Sequence, residues 1–322
     1  MSRRTRFVVA IAAALLTVAA CGSDKTENAA GQGGGGGGGD RAGWPSTITI
    51  GAVPSENATA LMASLAPIQK LIKDKLGIDA KVFSGTSYSA LIEAQKSGKV
   101  DLVEYGPFSY YIAQNQGVKL QNLGIVTNAA NSDGGYYSLG ETASKNGNIT
   151  SLKDFRGKKT CFVDPASTSG YLYPSYGLLQ AGINPTTDVT PVFAGAHDSS
   201  VLSIAKGTCE VGFSEDTMPP QLEKSGQLKK NAIKVVWKSP EIPGSPIAAS
   251  TSLPKTLRTQ LETVLVHDAN AKALAASGYC SSEADCQKKI GFWGYASPSV
   301  ADFSAIAKIC KLTKSTSCTS AG

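Results

Sequence analysis

The sequence predicts an α/β protein of two lobes, each a mostly parallel sheet flanked by helices. Two observations carry this. Short runs with strand alternation are followed by runs with helical spacing, the pattern of a parallel sheet with crossover helices. That pattern also stops near residue 131, restarts near residue 158 and gives way to helical periodicity again from Leu253. One α/β unit is therefore inserted into another. With 322 residues, 42% apolar and 17% charged, the chain has the material for a real core and for two domains.

In chain order, the first element is a leader. Met1 to Arg6 is basic, and Phe7 to Ala20 is an apolar run. The run is short of the roughly 20 residues that span a bilayer. It reads as a signal segment over residues 1–20. It ends Val18-Ala19-Ala20-Cys21-Gly22, which resembles the lipobox of bacterial lipoproteins, with the Cys21 thiol as the acceptor of the lipid. Residues 21–43 then form a polar tether with seven consecutive glycines, Gly33 to Gly39. Its root-mean-square reach is roughly 25 Å, enough to hold a globular body near a membrane. The expected location is the extracytoplasmic face of the cell membrane.

Removal of Arg3, Arg4 and Arg6 takes the formal charge from +6 to +3. No basic cluster follows, so nucleic acid is excluded as a partner. Two histidines, His197 and His267, argue against a histidine-rich metal site. No metal and no cofactor are expected. Beyond Cys21 there are six cysteines, an even number in an exported chain. Of fifteen possible pairings, the reading favours Cys280–Cys286 and Cys310–Cys318, which close short loops, and Cys161–Cys209, which joins two strands.

The first lobe is assigned to residues 44–131 plus 250–322. Ile48, Ile50 and Ala52 alternate as a strand. Leu65, Ile68, Leu71, Ile72 and Leu76 recur at helical spacing, with Pro67 suited to the first turn and Gly77 to the end. Lys81 to Phe83 is a strand, Ser87 caps a helix through Gln95, and Val100 to Glu104 is a strand broken at Tyr105-Gly106-Pro107. The second lobe is assigned to 132–249. It has strands at Lys158–Val163, Val189–Phe193, Cys209–Phe213 and Lys234–Trp237, and helices at Tyr171–Gln180 and Ser200–Lys206. Residues 132–140 and 239–249 are the two crossover segments, the second stiffened by Pro240, Pro243 and Pro246.

Candidate functional residues cluster at strand ends. Ser167, Thr168 and Ser169 precede a helix, whose N-terminus offers unpaired N–H groups and partial positive charge. One hydroxyl there is explained as an N-cap. Three in a row, followed by Gly170, favour a cradle for a tetrahedral oxyanion built without a basic side chain. His197 can donate to the same oxygens; by its residues alone it reads equally well as a structural loop histidine. Asp198 beside it reads as a helix cap, and His267-Asp268 as surface. Tyr105 ends a strand, where α/β folds place ligands, and Tyr88 starts a helix. Core packing is the commoner fate of a tyrosine. Ser55 and Asn57 are further donors.

Four segments carry a resemblance: Asp101-Leu102-Val103-Glu104-Tyr105-Gly106-Pro107; Asp164 to Tyr171; Gly195-Ala196-His197-Asp198 with Glu210-Val211-Gly212; and Val236 to Pro246. In this order and spacing the chain resembles the phosphonate, phosphate and phosphite substrate-binding lipoproteins of ABC importers, over about residues 46–310. The resemblance implies a type II periplasmic binding protein fold and no enzymatic activity. It implies ligand contacts from Tyr88 and Tyr105 on one lobe and Ser167, Thr168, Ser169 and His197 on the other. It also implies an ABC permease and ATPase as partners of a monomeric binding protein. Relatives that take aminoalkylphosphonates carry an acid where this chain has Ser245. A second acid lies after the strand ending near Phe213, where Glu215 or Asp216 stands. The neutral Ser245 favours a small phosphorus oxyanion over an aminophosphonate. Rival readings are a lipoprotein that presents its closed form to a receptor, a structural surface lipoprotein and an exported hydrolase. The last lacks a Gly-x-Ser-x-Gly elbow, a His-Glu-x-x-His pair and a cysteine beside a histidine.

Overall fold

Ile48, Ile50 and Ala52 are buried along β1 (Thr47–Ala52), as their alternation demands. β1 pairs in parallel with β2 (Asp79–Phe83) and β3 (Leu102–Glu104), through α1 (Ala58–Leu76) and α2 (Tyr88–Lys96). The computed structural model describes residues 41–319. The expected signal segment, Cys21 and nearly all of the tether lie outside the described residues.

α1 begins earlier than its spacing suggested. Asn57 caps it by accepting from the Ala60 N–H, so Pro67 lies inside the helix and not in its first turn. The buried face (Leu61, Leu65, Ile68, Leu71, Ile72 and Leu76) outweighs the one backbone bond that proline forfeits. Gly77, at φ 73°, ends the helix in the left-handed conformation. Ser87 caps α2 through the Ala90 N–H. Pro107, read as a strand breaker, also opens α3 (Pro107–Asn115), where its missing N–H costs nothing. β4 (Leu120–Thr127) then leads to the first crossing.

The second lobe runs β5 (Ser138–Ala143), β6 (Lys159–Phe162), a π-helical turn at Thr168–Leu172 that continues into α4 (Tyr173–Gln180), β7 (Thr190–Phe193), α5 (His197–Lys206), β8 (Val211–Glu215), α6 (Met218–Lys224) and β9 (Ile233–Lys238). The chain returns through β10 (Pro246–Ser250), α7 (Lys255–Thr263), α8 (Ala271–Ala276), α9 (Glu283–Ile290), β11 (Gly294–Ala296), α10 (Ser304–Thr313) and α11 (Thr316–Thr319). The two sheets have the orders β11-β4-β10-β3-β1-β2 and β7-β6-β8-β5-β9.

Both sheets are mixed, which corrects the expectation of mostly parallel ones. β10 is antiparallel to β3 and β4, β11 to β4, and β5 to β8 and β9. The reason is connectivity. Helix-connected strands other than β11 end at the cleft, whereas β5 and β10 arrive from the other lobe and begin there, and β11 pairs antiparallel to β4. β10 pairs within the first sheet, so the chain has re-entered the first lobe by Pro246, before residue 249. The crossings are bridged at Tyr136 and Ile242 and pass closely. A Cβ on Gly244 would stand 2.5 Å from the Val126 carbonyl oxygen.

One apolar cluster spans the lobes behind the cleft, where Ile306, Ile309 and Cys310 of α10 meet Phe108, Leu172 and Tyr173. Disulfides join Cys161 to Cys209, Cys280 to Cys286 and Cys310 to Cys318. The first ties β6 to the approach of its parallel neighbour β8, with Cα atoms 5.7 Å apart. Among the described residues, no helix is long and apolar enough to cross a membrane.

Candidate functional site

The carboxyl ends of strands from both sheets converge on a cavity of about 130 Å³ between the lobes. Its second-lobe wall is the π-helical turn. Asp164 shapes the approach, accepting from the Ala166 N–H at 2.8 Å. Ser167 Oγ accepts from the Gly170 N–H at 3.0 Å, so this serine is a cap, and its O–H is left to donate. A Cβ on Gly170 would stand 2.3 Å from the Val163 side chain, so glycine alone lets the turn seat on the end of β6. Thr168 Oγ1 accepts from the Phe108 N–H of the first lobe at 2.9 Å. The Ser169 carbonyl is held by Ser138 Oγ at 2.6 Å. All three hydroxyl residues are buried, and they stand where a helix start has unpaired N–H groups.

His197 opens α5 and is 2% exposed. Its N–H donates to the Ser55 carbonyl at 2.9 Å, and its Nδ1 accepts from the Glu215 N–H at 3.0 Å. Burial pushes its pKa down to about 3. The ring is therefore neutral at physiological pH, its proton sits on Nε2, and it offers one donor. It adds no charge to the site. Asp198 accepts from the Asn57 N–H across the cleft at 3.0 Å. Gln221 Nε2 likewise reaches Glu56 Oε2 at 3.1 Å. Asn57 is thus spent on capping and closure, while Ser55 lines the cavity.

Tyr88 lines the cavity and its hydroxyl is bonded to Ser167. Burial pushes its pKa well up, so it stays a donor. Tyr105 borders the cavity, but its hydroxyl is engaged in the core. Its phenol donates to Gln95 Oε1 at 2.7 Å, inside the core, and the side chain is fully buried. Neighbouring residues along a strand face opposite ways. At the end of β3 it is Glu104 whose carboxyl belongs to the cavity wall. The cavity phenol that the sequence reading missed is Tyr136, hydrogen-bonded to Thr168 and Ser169. It lies in a crossing read only as a connector. The available signal was that a crossover segment must pass the cleft.

Asp216 is displaced by the same alternation. Its Oδ1 accepts from the Tyr137 N–H at 3.1 Å and its own N–H donates to the Tyr137 carbonyl, which continues the β5–β8 pairing. Glu215 is the acid on the cavity wall. Burial, then the nearby charges of Asp216 and Glu56, push its pKa up to about 8. Burial raises Glu104 to about 7 against the opposing bond from the Tyr295 hydroxyl, 2.8 Å from Oε2. Glu56 is also raised by burial and by Asp198. No lysine or arginine lines the cavity, and Ser245 does. The site is a ring of neutral donors with weakly acidic carboxyls on both walls. Among the described residues, no cluster of three or more His, Cys, Asp or Glu could hold a metal ion.

Residues 50–302 match the family described as ABC transporter, phosphonate, periplasmic substrate-binding protein. The chain is 37% identical to the phosphate-import protein PhnD of Mycolicibacterium smegmatis, across 99% of each chain. It is 27% identical to the phosphonates-binding periplasmic protein of Escherichia coli, over 66% of this chain and 64% of that one. Among solved structures it superposes on PhnD1 of Prochlorococcus marinus in complex with methylphosphonate, with TM-score 0.70, 20% identity and coverage of 84% and 99%. A binding protein component of an ABC phosphonate transporter from Pseudomonas aeruginosa gives TM-score 0.72 at 22% identity, covering 84% and 87%. These structural likenesses carry the type II periplasmic binding fold. The chain belongs to the family of periplasmic phosphonate-type substrate-binding proteins of ABC transporters.

Proposed function

We propose that this protein is a lipid-anchored receptor that captures a phosphorus oxyanion (inorganic phosphate, a phosphonate or phosphite) by lobe closure and delivers it to an ABC permease and its ATPase. Cys21 carries the lipid, and the glycine tether gives the body its reach. Ser167, Thr168, Ser169 and His197 bind from the second lobe, with Tyr88 from the first and Tyr136 from the crossing. Ser55 sits at the edge of this set. The single observation that supports the reading most is the donor arrangement, a helix start with three hydroxyls, a neutral Nε2–H and two protonated phenols around one small cavity. A tetrahedral anion held by both lobes stabilises the closed form, because only that form offers all the contacts.

Titration calorimetry on the full chain in detergent, stripped of ligand by mild unfolding and refolding, tests the proposal. The panel is phosphate, phosphite, methylphosphonate, 2-aminoethylphosphonate and sulfate. Binding of a phosphorus oxyanion at roughly micromolar or tighter, about −8 kcal/mol, is expected. Silence across the panel in folded protein would refute it.

A further inference from the structure

The donors described above fit any tetrahedral oxyanion. Hydroxyls, N–H groups and an imidazole N–H serve sulfate as well as phosphate. Discrimination needs an acceptor, because a phosphate oxygen can carry a proton and a sulfate oxygen at neutral pH does not. Three carboxyls line the cavity, from Glu56, Glu104 and Glu215. Two are engaged by second-lobe donors. Gln221 binds Glu56, while Thr217 bonds to Glu215, whose Oε2 lies 3.9 Å from His197 Nε2.

Glu104 differs in what holds it. Its Oε2 accepts from the Tyr295 hydroxyl of its own lobe, not from a donor across the cleft, which leaves Oε1 to the cavity in either position of the lobes. Tyr295 is itself rigid. It is 2% exposed, lies in β11 against β4, and packs edge-on to Phe292, another wall residue, with centroids 5.1 Å apart. A carboxyl so fixed presents one oxygen in one place, with no cation to neutralise it.

We propose that Glu104, positioned by Tyr295, is the specificity-determining residue of this site, its Oε1 pairing with a P–OH of the ligand and thereby selecting protonated oxyanions over sulfate. The proposal rests on the oxyanion reading above. One proton is shared between Oε1 and a ligand oxygen. Hydrogen phosphate brings that proton. Sulfate brings none, so it binds only when Glu104 takes a proton from solvent, and its affinity falls as Glu104 ionises. The groups that act on this carboxyl are Tyr295 from β11 and Glu215 from β8, with Glu56 and Asp216 acting on Glu215 in turn. Sites built around a ligand hydroxyl reject analogues lacking it, because a buried acceptor is left unpaired.

The test is calorimetry with phosphate and sulfate at pH 6 and pH 8.5 on wild type, Glu104→Gln and Tyr295→Phe, each shown folded by circular dichroism. In wild type the phosphate-to-sulfate affinity ratio should rise at least about tenfold between the two pH values, following the ionisation of one carboxyl. In Glu104→Gln, whose amide donates to an aprotic oxygen, the pH 8.5 ratio should drop at least about tenfold. Tyr295→Phe removes the bond that holds the carboxylate, so the pH at which the ratio changes should move upward. A Glu104→Gln ratio within twofold of wild type overturns the assignment while leaving the oxyanion reading intact. Wild type silent to phosphate, phosphite, methylphosphonate and 2-aminoethylphosphonate alike overturns both. A tenfold preference for 2-aminoethylphosphonate over methylphosphonate, lost in Glu104→Gln, would make the carboxyl an ammonium receiver and also overturns it.

Discussion

The two walls of the cavity are built differently. The second-lobe wall is built around one contiguous stretch, with His197 of α5 and Glu215 of β8 beside it. Asp164 to Gly170 forms its own turn, caps its own helix and leaves its hydroxyls on the cavity side. The first-lobe wall is assembled from distant pieces: Tyr88 at a helix start, Glu104 at a strand end, Tyr136 in a crossing and Phe292 near the carboxyl terminus. A local motif determines its own geometry through backbone hydrogen bonds. A dispersed wall depends on which face of each strand turns toward the cleft.

The most severe way to break this contrast is to remove the second wall's donors. Ser167→Ala with His197→Ala deletes two hydrogen bonds to a charged ligand, so phosphate affinity measured by calorimetry should fall by roughly 3–6 kcal/mol, at least a hundredfold. A loss below tenfold would mean that the first wall dominates.

The first wall is sharpened by a pair of phenol deletions. Tyr136→Phe should weaken phosphate binding by about 1.5–3 kcal/mol, because its hydroxyl faces the Thr168–Ser169 turn. Tyr105→Phe should leave the affinity within about twofold and lower thermal stability by roughly 1 kcal/mol, through the lost Gln95 bond. The reverse pattern would restore Tyr105 as the contact.

The mildest test lies behind the second wall. Glu141 in β5 is fully buried, and both carboxyl oxygens lack a partner. The Ser214 hydroxyl beside it donates to the Glu215 carbonyl. Burial raises its pKa to about 8. Between the unfolded value of about 4.3 and this folded value, the native state keeps a proton that the unfolded chain releases. Stability therefore falls as pH rises through that window and levels off above it. Glu141→Gln should remove the penalty, stabilising the fold by about 2–4 kcal/mol at pH 8 and little near pH 4.5. Denaturant unfolding at both pH values measures this. Anion affinity should not change, since the wall in front is self-contained.

Legibility in the sequence follows the same division. The Ser-Thr-Ser-Gly turn was readable because capping chemistry acts within a few residues, whereas His197 stood out only through the family resemblance. The pairs Cys280–Cys286 and Cys310–Cys318 span short loops, and the disulfides are formed as read. Tyr105 borders the cavity with its hydroxyl on Gln95, and of the pair Glu215 and Asp216 it is Glu215 that reaches the wall, since a one-residue step along a strand exchanges the two faces. Tyr136 went unseen because nothing local marks a connector as part of a cleft. α3, β4, β5, β10 and β11 were also not read as elements. β10 is buried among sheet neighbours and lacks the period that marks a half-exposed strand.

The amino-acid sequence by itself determined the alternating elements, the lobe inserted within a lobe and the hydroxyl-bearing turn at a helix start, because hydrophobic period and helix capping are local forces. Only the tertiary structure decided the reversed strands, which acids and which phenols line the cavity, and the neutrality of His197. Those depend on chain direction at the cleft, on strand facing and on desolvation, and each is set by residues far away in the chain.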